Sequence, residues 1–275
     1  MDKKTKKMGQ PSGSSLSWLF TIGVIVVAAI ASYFIWSRIM GNPDYFEGRN
    51  LEGGRVLGGN YLAIIYRGGP IVPLLMTVLL VLLTFSFERA ITIIKARGRG
   101  GINVFVKNLQ IYLSENKIDE AIVACDRQKG SLANVMRAGL VRYKVLQTDT
   151  TMDKDQKILA LQKEFEEATA LELPMLSKNL VILSTIASIS VLIGLLGTVL
   201  GMIRAFKALA QAGAPDSLAL ATGISEALVN TAFGIAGSLL AIVLYNYFST
   251  LIDNFTYKID EAGFSLVQSF AASTK

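Results

Sequence analysis

The chain has 275 residues, of which 52% are hydrophobic and only 17% are charged, with a net charge of +6. Soluble domains carry about a quarter charged residues, so the composition excludes a disordered chain, argues against a nucleic-acid partner and is typical of a membrane protein. The sequence has no His and a single Cys, Cys125. It therefore lacks Ser-His-Asp triads, His-ligated zinc, thiolate metal cages and internal disulfides. We predict no enzyme activity, no metal and no cofactor.

Four uncharged stretches, each of 20 residues or more, dominate the hydropathy pattern. A helix needs about 20 apolar residues to cross the hydrocarbon core, so four transmembrane helices are predicted and four buried helices of a soluble protein are disfavoured. The stretches lie between Lys7 and Arg38, Arg67 and Glu88, Lys178 and Arg204, and Glu226 and Asp253.

The first stretch has a second interpretation, because four lysines precede it as in a signal peptide. The lysines are Lys3, Lys4, Lys6 and Lys7. However, the stretch is longer than a signal-peptide core and ends at 36–38 without a clear cleavage context. We therefore favour a retained anchor helix.

Lysine and arginine placement predicts the orientation of the chain. With a cytoplasmic N-terminus, the inside segments 1–15, 95–178 and 250–275 hold 20 Lys and Arg, against 6 in the outside segments 38–68 and 204–217. Both termini are therefore predicted to be cytoplasmic. In chain order we predict a basic tail at 1–15, a first membrane helix at 16–38, an external loop at 39–69, a second membrane helix at 70–95, a cytoplasmic helical domain at 96–178, a third membrane helix at 179–206, an external turn at 207–217, a fourth membrane helix at 218–250 and a cytoplasmic helical tail at 251–275.

The cytoplasmic segments show helical periodicity, so the predicted fold is an all-α polytopic membrane protein. Two of its four membrane helices are long and continue into a cytoplasmic helical bundle. Helical patterns cover 102–114, 118–128 and 132–146, and a short helix is predicted outside at 61–66. From Gln156 onward the pattern reaches the third membrane stretch without a stop signal, and we expect Pro174 to kink that helix rather than end it.

Polar residues inside the third and fourth membrane helices are the candidate functional residues. Glu226 is exceptional, because a carboxylate in a membrane helix costs several kcal/mol unless it is paired, solvated or protonated. It faces a pore or, alternatively, sits at the external interface. Thr198, Thr231 and Asn230 offer polar groups to the same path, and the alternative for such groups is helix packing. Packing is the favoured role of the small residues, which include Gly194, Gly197, Gly201 and Gly234. One pair of helices encloses little space, so a pore requires several copies and a carboxylate from a partner helix.

Two motifs in these helices resemble the MotA/TolQ/ExbB proton channel family. Residues 193–203, IGLLGTVLGMI, are similar to its GLLGTVxGM signature. Residues 223–228, GISEAL, followed by Thr231-Ala232 and Gly234, are similar to its GIAEAL..TA.G signature. The resemblance spans about 68–255, with Tyr245-Asn246, the Gly-Gly-Pro entry at 68–70 and Glu88-Arg89 also matching.

The resemblance implies a homopentameric ring in the bacterial inner membrane around an ExbD- or TolR-type single-span partner. The partner's membrane Asp would carry the proton, Thr198 and Thr231 would line the pore, and Glu226 would lie at its mouth. A TonB-like protein would receive the force and power outer-membrane transport. A TolQ-type, gliding or flagellar-type motor, a non-conducting scaffold and a choice between H⁺ and Na⁺ stay open.

The sequence departs from the family pattern at three places. Val191 and Leu240 stand where the family often has Pro, so the kinks expected there are in doubt. Asn230 stands where the family has a small residue or Thr, which adds polarity near the pore. The helix at 16–38 is additional to the three-helix ExbB and TolQ layout, and we interpret it as a peripheral helix facing membrane lipids.

Overall fold

The computed structural model describes residues 13–51, 56–210 and 216–273. The described residues form nine α-helices and no strand, apart from one isolated bridge between Phe46 and Val56. Most of the predicted basic tail, including its four lysines, lies outside the described residues. The helices are α1 (Gly13–Phe34), α2 (Tyr61–Tyr66), α3 (Ile71–Arg97), α4 (Ile102–Ser114), α5 (Ile118–Gln128), α6 (Ser131–Thr148), α7 (Lys154–Ser177), α8 (Leu180–Leu209) and α9 (Ser217–Ser273).

Four of these helices, α1, α3, α8 and α9, contain stretches long and apolar enough to cross a membrane. The all-α polytopic fold predicted from the sequence is therefore confirmed, and the chain is a multi-pass membrane protein. The chain divides into two compact units, which are Met1–Phe85 with Ile182–Ile242 and Ser86–Val181 with Val243–Lys275. We call them the membrane unit and the second unit.

In the membrane unit, α1 presents apolar side chains to its surroundings on most sides. Only 11% of its most apolar window is buried, as a helix surrounded by lipid would be. It continues into a π-helical segment, Ile35–Met40. There Trp36 stacks on Tyr66 with ring centroids 4.9 Å apart, and Phe46 meets the edge of the same tyrosine at 5.9 Å. This aromatic cluster joins the segment that contains α2 to the residues that follow α1, and the bounds of α2 match the prediction.

In the second unit, α4, α6 and α7 contact the last part of α9, and α5 packs against α4 and α6. The bounds of α4 and α5 match the helices predicted at 102–114 and 118–128. Tyr143 on α6 is fully buried, with its ring 4.7 Å from Phe270 and its hydroxyl 2.8 Å from the Ser273 hydroxyl. The helical end of the chain is thus an integral part of this core.

The predicted unbroken helix through 156–206 is wrong, because the structure ends α7 at Ser177 and begins α8 at Leu180. Pro174 lacks an N–H and weakens the last turn of α7. The chain then turns at Asn179, whose φ of +66° is a left-handed conformation that Asn adopts more easily than most residues. A proline kink alone does not describe this connection.

Arg89 on α3 explains why the break is stable. Its side chain is 2% exposed, and one terminal nitrogen donates to the carbonyls of Leu176 at 3.1 Å and Met175 at 3.4 Å. These carbonyls belong to the last turn of α7, which has no helical N–H groups to accept from. Glu88 balances the charge, since it binds Arg89 at 2.6 Å and accepts from Asn179 Nδ2 at 3.1 Å.

Candidate functional site

Glycines bring α8 and α9 into backbone contact within the membrane unit. A Cβ built on Gly194 would lie 2.9 Å from the Asn230 carbonyl oxygen and 3.0 Å from Gly234 Cα. A Cβ on Gly201 would lie 2.8 Å from the Gly223 carbonyl oxygen. Such contacts are too short for any larger residue, so the small residues set the close approach of these two apolar helices.

A pair of threonine hydroxyls lies at this contact. Thr198 on α8 and Thr231 on α9 are hydrogen-bonded to each other, and both residues are half-buried. Thr231 Oγ1 also donates to the Ala227 carbonyl at 3.1 Å, and Thr198 Oγ1 lies 3.2 Å from the Gly194 carbonyl. Because each hydroxyl both donates and accepts, the pair can exchange hydrogen bonds with a water or a carboxyl group that reaches it.

Glu226 forms an ion pair with Arg204, and this pair joins α9 to α8. The Glu226 carboxylate accepts from Nη1 of Arg204. The two side chains differ in environment, since Glu226 is 5% exposed and Arg204 is 49% exposed. The acid is therefore buried inside the chain, and the cation that compensates it reaches the surface.

The turn before α3 provides the wall against which Glu226 packs. Gly69 has a φ of +74°, and a Cβ built there would lie 2.8 Å from Glu226 Cδ. The neighbouring carbonyl of Gly68 accepts a 2.8 Å hydrogen bond from Asn230 Nδ2. Asn230 is fully buried, and its Oδ1 has no partner among the described residues. A Cβ on Gly197 would lie 2.7 Å from Asn230 Cγ, so α8 closes the other side of this amide.

A cavity of about 710 Å³ opens at this end of the membrane unit. Its lining includes Glu226 and Arg204 together with Trp36, Arg67 and Thr222. These residues lie just beyond α1, just before α3, near the end of α8 and near the start of α9. The cavity therefore lies where all four apolar helices have an end.

The structure divides the predicted site residues into two groups. Glu226 and Asn230 face the interior of the membrane unit, whereas Thr198 and Thr231 lie at a half-exposed position between α8 and α9. Sequence reasoning missed Arg204, which it counted only as a topology signal. It also missed the role of Gly69. Within 13–51, 56–210 and 216–273, no group of three or more Asp, Glu, Cys or His side chains is placed to hold a metal ion.

Comparison with known proteins identifies relatives of this chain. A model of the MotA/TolQ/ExbB proton channel family matches residues 127–261. The Tol-Pal system protein TolQ of Pseudomonas aeruginosa is 32% identical over 45% of this chain and 56% of its own length. A putative biopolymer transport protein, ExbB-like 3 of Synechocystis, is 39% identical over 31% of this chain and 42% of its own. Biopolymer transport protein ExbB of Salmonella typhimurium is 40% identical over 26% and 30%. The matches thus span between about a third and just over half of these relatives.

Proposed function

Because residues 127–261 identify the chain as a member of the MotA/TolQ/ExbB proton channel family, we propose that it is the channel-forming subunit of an energy-transducing motor in the bacterial inner membrane. The proposed motor uses the proton motive force to move a single-span partner of ExbD or TolR type. A TonB-like protein then transmits the force to outer-membrane transport. One charge crossing 100 mV releases about 2.3 kcal/mol, which is sufficient for such work when several charges cross.

The observation that carries the proposal is the hydroxyl pair of Thr198 and Thr231. The pair lies in two otherwise apolar helices and is only half-buried, so a group outside the subunit can reach it. We propose that the membrane carboxyl group of the partner binds and releases its proton beside these hydroxyls. The chain has no His, so a proton relay made of imidazoles is not available to it.

Glu226 and Asn230 are assigned to the outer end of the same path. There the Glu226–Arg204 pair and the Asn230–Gly68 hydrogen bond tie α8, α9 and the turn before α3 together. In this role Glu226 holds the mouth of the path in shape and carries no net charge with its partner. Its burial inside one subunit supports this assignment.

A ring of identical subunits, which we propose to be a pentamer, completes the pore. Large apolar side chains of α8 and α9 that are exposed in one subunit are available for neighbouring copies, for the partner and for lipid. Those on α8 include Leu192 at 61%, Leu195 at 57% and Ile203 at 58% exposed. Both termini are proposed to be cytoplasmic, in agreement with the Lys and Arg distribution.

The proposal is tested by proton flux in liposomes that contain the chain together with its single-span partner. Thr198→Ala and Thr231→Ala remove one hydroxyl each, and we expect the flux to fall at least tenfold with assembly unchanged. Serine at either position restores a hydroxyl and should recover most of the flux. Replacing the proton gradient by a sodium gradient identifies the ion.

Thr84→Ala is the matched control. Thr84 lies on α3, is exposed, and donates only to the Leu80 carbonyl of its own helix at 2.8 Å. Its loss should leave both assembly and flux unchanged. Assembled Thr198→Ala and Thr231→Ala complexes with full flux would refute the assignment of the path.

A TolQ-type role in envelope integrity is the second candidate. It is favoured by the long match to the Pseudomonas aeruginosa TolQ, which covers 130 residues of this chain. Deleting the gene separates the two roles. Loss of energised uptake at an intact envelope supports the ExbB-type role, whereas leakage of periplasmic proteins with uptake unchanged supports the TolQ type.

A further inference from the structure

The apolar surface of α3 continues well past Glu88 on one face. Phe87, Ile91 and Ile94 are 74%, 49% and 65% exposed, and their spacing of four and three residues places them on one side of the helix. Exposed cations follow directly at Lys95 and Arg97. On this face the lipid-compatible surface therefore ends within one helical turn of a group of positive charges.

Two turns of the chain are locked together at this point. The backbone N–H of Arg99 donates to the Gln128 carbonyl at 2.6 Å, and Gln128 Nε2 donates back to the Arg97 carbonyl at 3.1 Å. Gly98 has a φ of +74°, and a Cβ built on it would lie 2.8 Å from the carbonyl carbon of Lys129. The turn after α3 and the turn after α5 thus form one rigid element, although about 30 residues separate them in the sequence.

This element presents exposed cations from the two turns and from the helix ends that precede them. We call Arg97, Arg99, Arg127 and Lys129 the basic platform, and all four side chains are exposed. Beside it lies a cavity of about 630 Å³ that is lined by Arg99 and Arg127. Its wall also includes Val104, whose apolar side chain is 63% exposed.

Nearby acids are largely engaged with other cations. Asp119, which lines the same cavity, pairs with Lys144 at 2.6 Å, and Asp126 pairs with Arg137 at 2.8 Å. Glu120 also lines the cavity. No cation of the basic platform forms an ion pair within the described part of the chain, so the platform keeps a net positive charge.

We propose that the basic platform is a binding site for the phosphate of an anionic phospholipid from the cytoplasmic leaflet. Two guanidinium groups at one cavity can hold a phosphate by charge-assisted hydrogen bonds. The exposed Val104 suits the glycerol and upper acyl region of the same lipid. The exposed apolar face of α3 leads directly to the platform, so a lipid reaches it without leaving the bilayer.

The site should bind one headgroup specifically, because its cations are held in a fixed arrangement and do not merely add positive charge to the surface. Positive charge on an inner loop attracts anionic lipids in general, by about 1 kcal/mol for each Lys or Arg near the surface. Here the cations are held on a rigid element with a cavity between them, so they are already arranged for one headgroup. Anionic phospholipid should therefore bind with a defined stoichiometry per subunit, which a diffuse charge does not produce.

The test counts bound lipids on the purified complex of the chain with its single-span partner. Native mass spectrometry is performed with phosphatidylglycerol and with phosphatidylcholine, and affinities are compared. The variant is the triple substitution Arg97→Gln, Arg99→Gln and Arg127→Gln. One kcal/mol corresponds to about a fivefold change in affinity, so each removed cation should weaken phosphatidylglycerol binding about fivefold. Phosphatidylcholine binding should not change.

The matched control removes three cations from α7, by Lys154→Gln, Lys157→Gln and Lys163→Gln. Lys178 marks the start of the third apolar stretch. Along a helix the three substituted lysines lie about 20 Å or more from it, which is beyond the Debye length of about 8 Å. Equal phosphatidylglycerol affinity in wild type and platform variant, or an equal loss in the control, overturns the proposal. Millimolar inorganic phosphate that displaces the lipid completely would identify a site for soluble phosphate and also overturn it.

A second variant separates lipid binding from folding. The triple substitution Arg97→Lys, Arg99→Lys and Arg127→Lys keeps the charge, and it should retain phosphatidylglycerol binding within a few-fold. If the lysine variant folds and loses phosphatidylglycerol as completely as the glutamine variant, charge is not what binds the lipid. Because the readout is lipid binding and not flux, it does not depend on the proposed channel function.

Discussion

Removing Arg204 and removing Glu226 from their ion pair should destabilise the protein to different extents. Glu226 is 5% exposed and Arg204 is 49% exposed. Arg204→Met removes the cation and leaves the buried carboxylate without its partner. Glu226→Gln removes the acid instead, keeps an oxygen acceptor, and leaves an arginine that water already reaches. The first substitution should therefore destabilise the protein much more than the second.

The magnitudes follow from the burial of each partner. Stranding one member of a buried ion pair costs about 3–5 kcal/mol, and we expect the lower end because water reaches Arg204. Replacing the charged acceptor by the neutral amide of Gln costs about 1 kcal/mol. At about 2–4 °C per kcal/mol, Arg204→Met should lower the unfolding midpoint by about 6 °C or more and Glu226→Gln by about 2–4 °C.

A double-mutant cycle measured by thermal unfolding in detergent tests this reasoning. Arg204→Met with Glu226→Gln no longer strands a buried charge, so the double variant should be more stable than Arg204→Met alone, with a coupling of about 2 kcal/mol. The control cycle uses Lys163 and Glu167, an exposed pair 3.8 Å apart, whose coupling should be about 0.5 kcal/mol or less. Equal single effects, or additivity at 204 and 226, would refute the buried-carboxylate argument.

Two further predictions concern Gly69 and Cys125. Gly69→Ala combines a left-handed φ with a contact to the Glu226 carboxylate, and it should cost about 3 kcal/mol of stability in the same thermal assay. The control Gly59→Ala has a φ of +68° and open space around it, and it should cost only about 1 kcal/mol. Equal losses of stability in the two variants would contradict the contact. Burial raises the pKa of the Cys125 thiol to about 12, so maleimide at pH 8 should label it slowly in the native protein and rapidly in denaturant, and fast native labelling would disprove its burial. Because its folded pKa is raised, Cys125 contributes stability below its unfolded pKa of about 8.5, and that contribution is lost as the pH rises toward 12.

Helices whose ends are marked by neighbouring residues could be predicted from the sequence. The bounds of α4 and α5 are marked by apolar residues at helical spacing and by flanking turn residues, and the structure reproduces them. The short α2 is likewise bounded by Asn60, whose side chain accepts from the Leu62 N–H at 3.0 Å, and by the Gly-Gly-Pro sequence that follows. Signals of this kind need no knowledge of distant parts of the chain.

The break between α7 and α8 could not be predicted, because its cause is not local. Pro174 weakens the helix, but the carbonyls that lack helical partners where α7 ends are satisfied by Arg89, which is 87 positions from Leu176 in the sequence. Without that donor the carbonyl of the buried Leu176 would have no hydrogen-bond partner. A pattern read from adjacent residues contains no information on a donor that another helix brings.

Arg204 is a different case, since the sequence contains a usable signal for its position. In an antiparallel helix pair, facing residues lie at equal distances from the connecting turn. The pairs Thr198–Thr231 and Arg204–Glu226 have their midpoints at 214.5 and 215. Placing the two threonines of the family motifs opposite each other therefore brings Arg204 within one residue of the position opposite Glu226.

The same register limits the proposed role of this chain in proton transfer. The third and fourth predicted membrane helices contain a single acid, Glu226. Arg204 already neutralises this acid inside the same chain. To accept a proton from the proposed pore, Glu226 would have to leave its cation and the wall formed by Gly69, at the cost given above for a stranded carboxylate. The Thr198–Thr231 pair needs no such rearrangement, but a threonine hydroxyl neither releases its own proton nor binds an additional one near neutral pH. The proposed mechanism therefore requires a carboxyl group from another chain, with the threonines orienting it and the Glu226–Arg204 pair keeping the outer end closed to uncompensated charge.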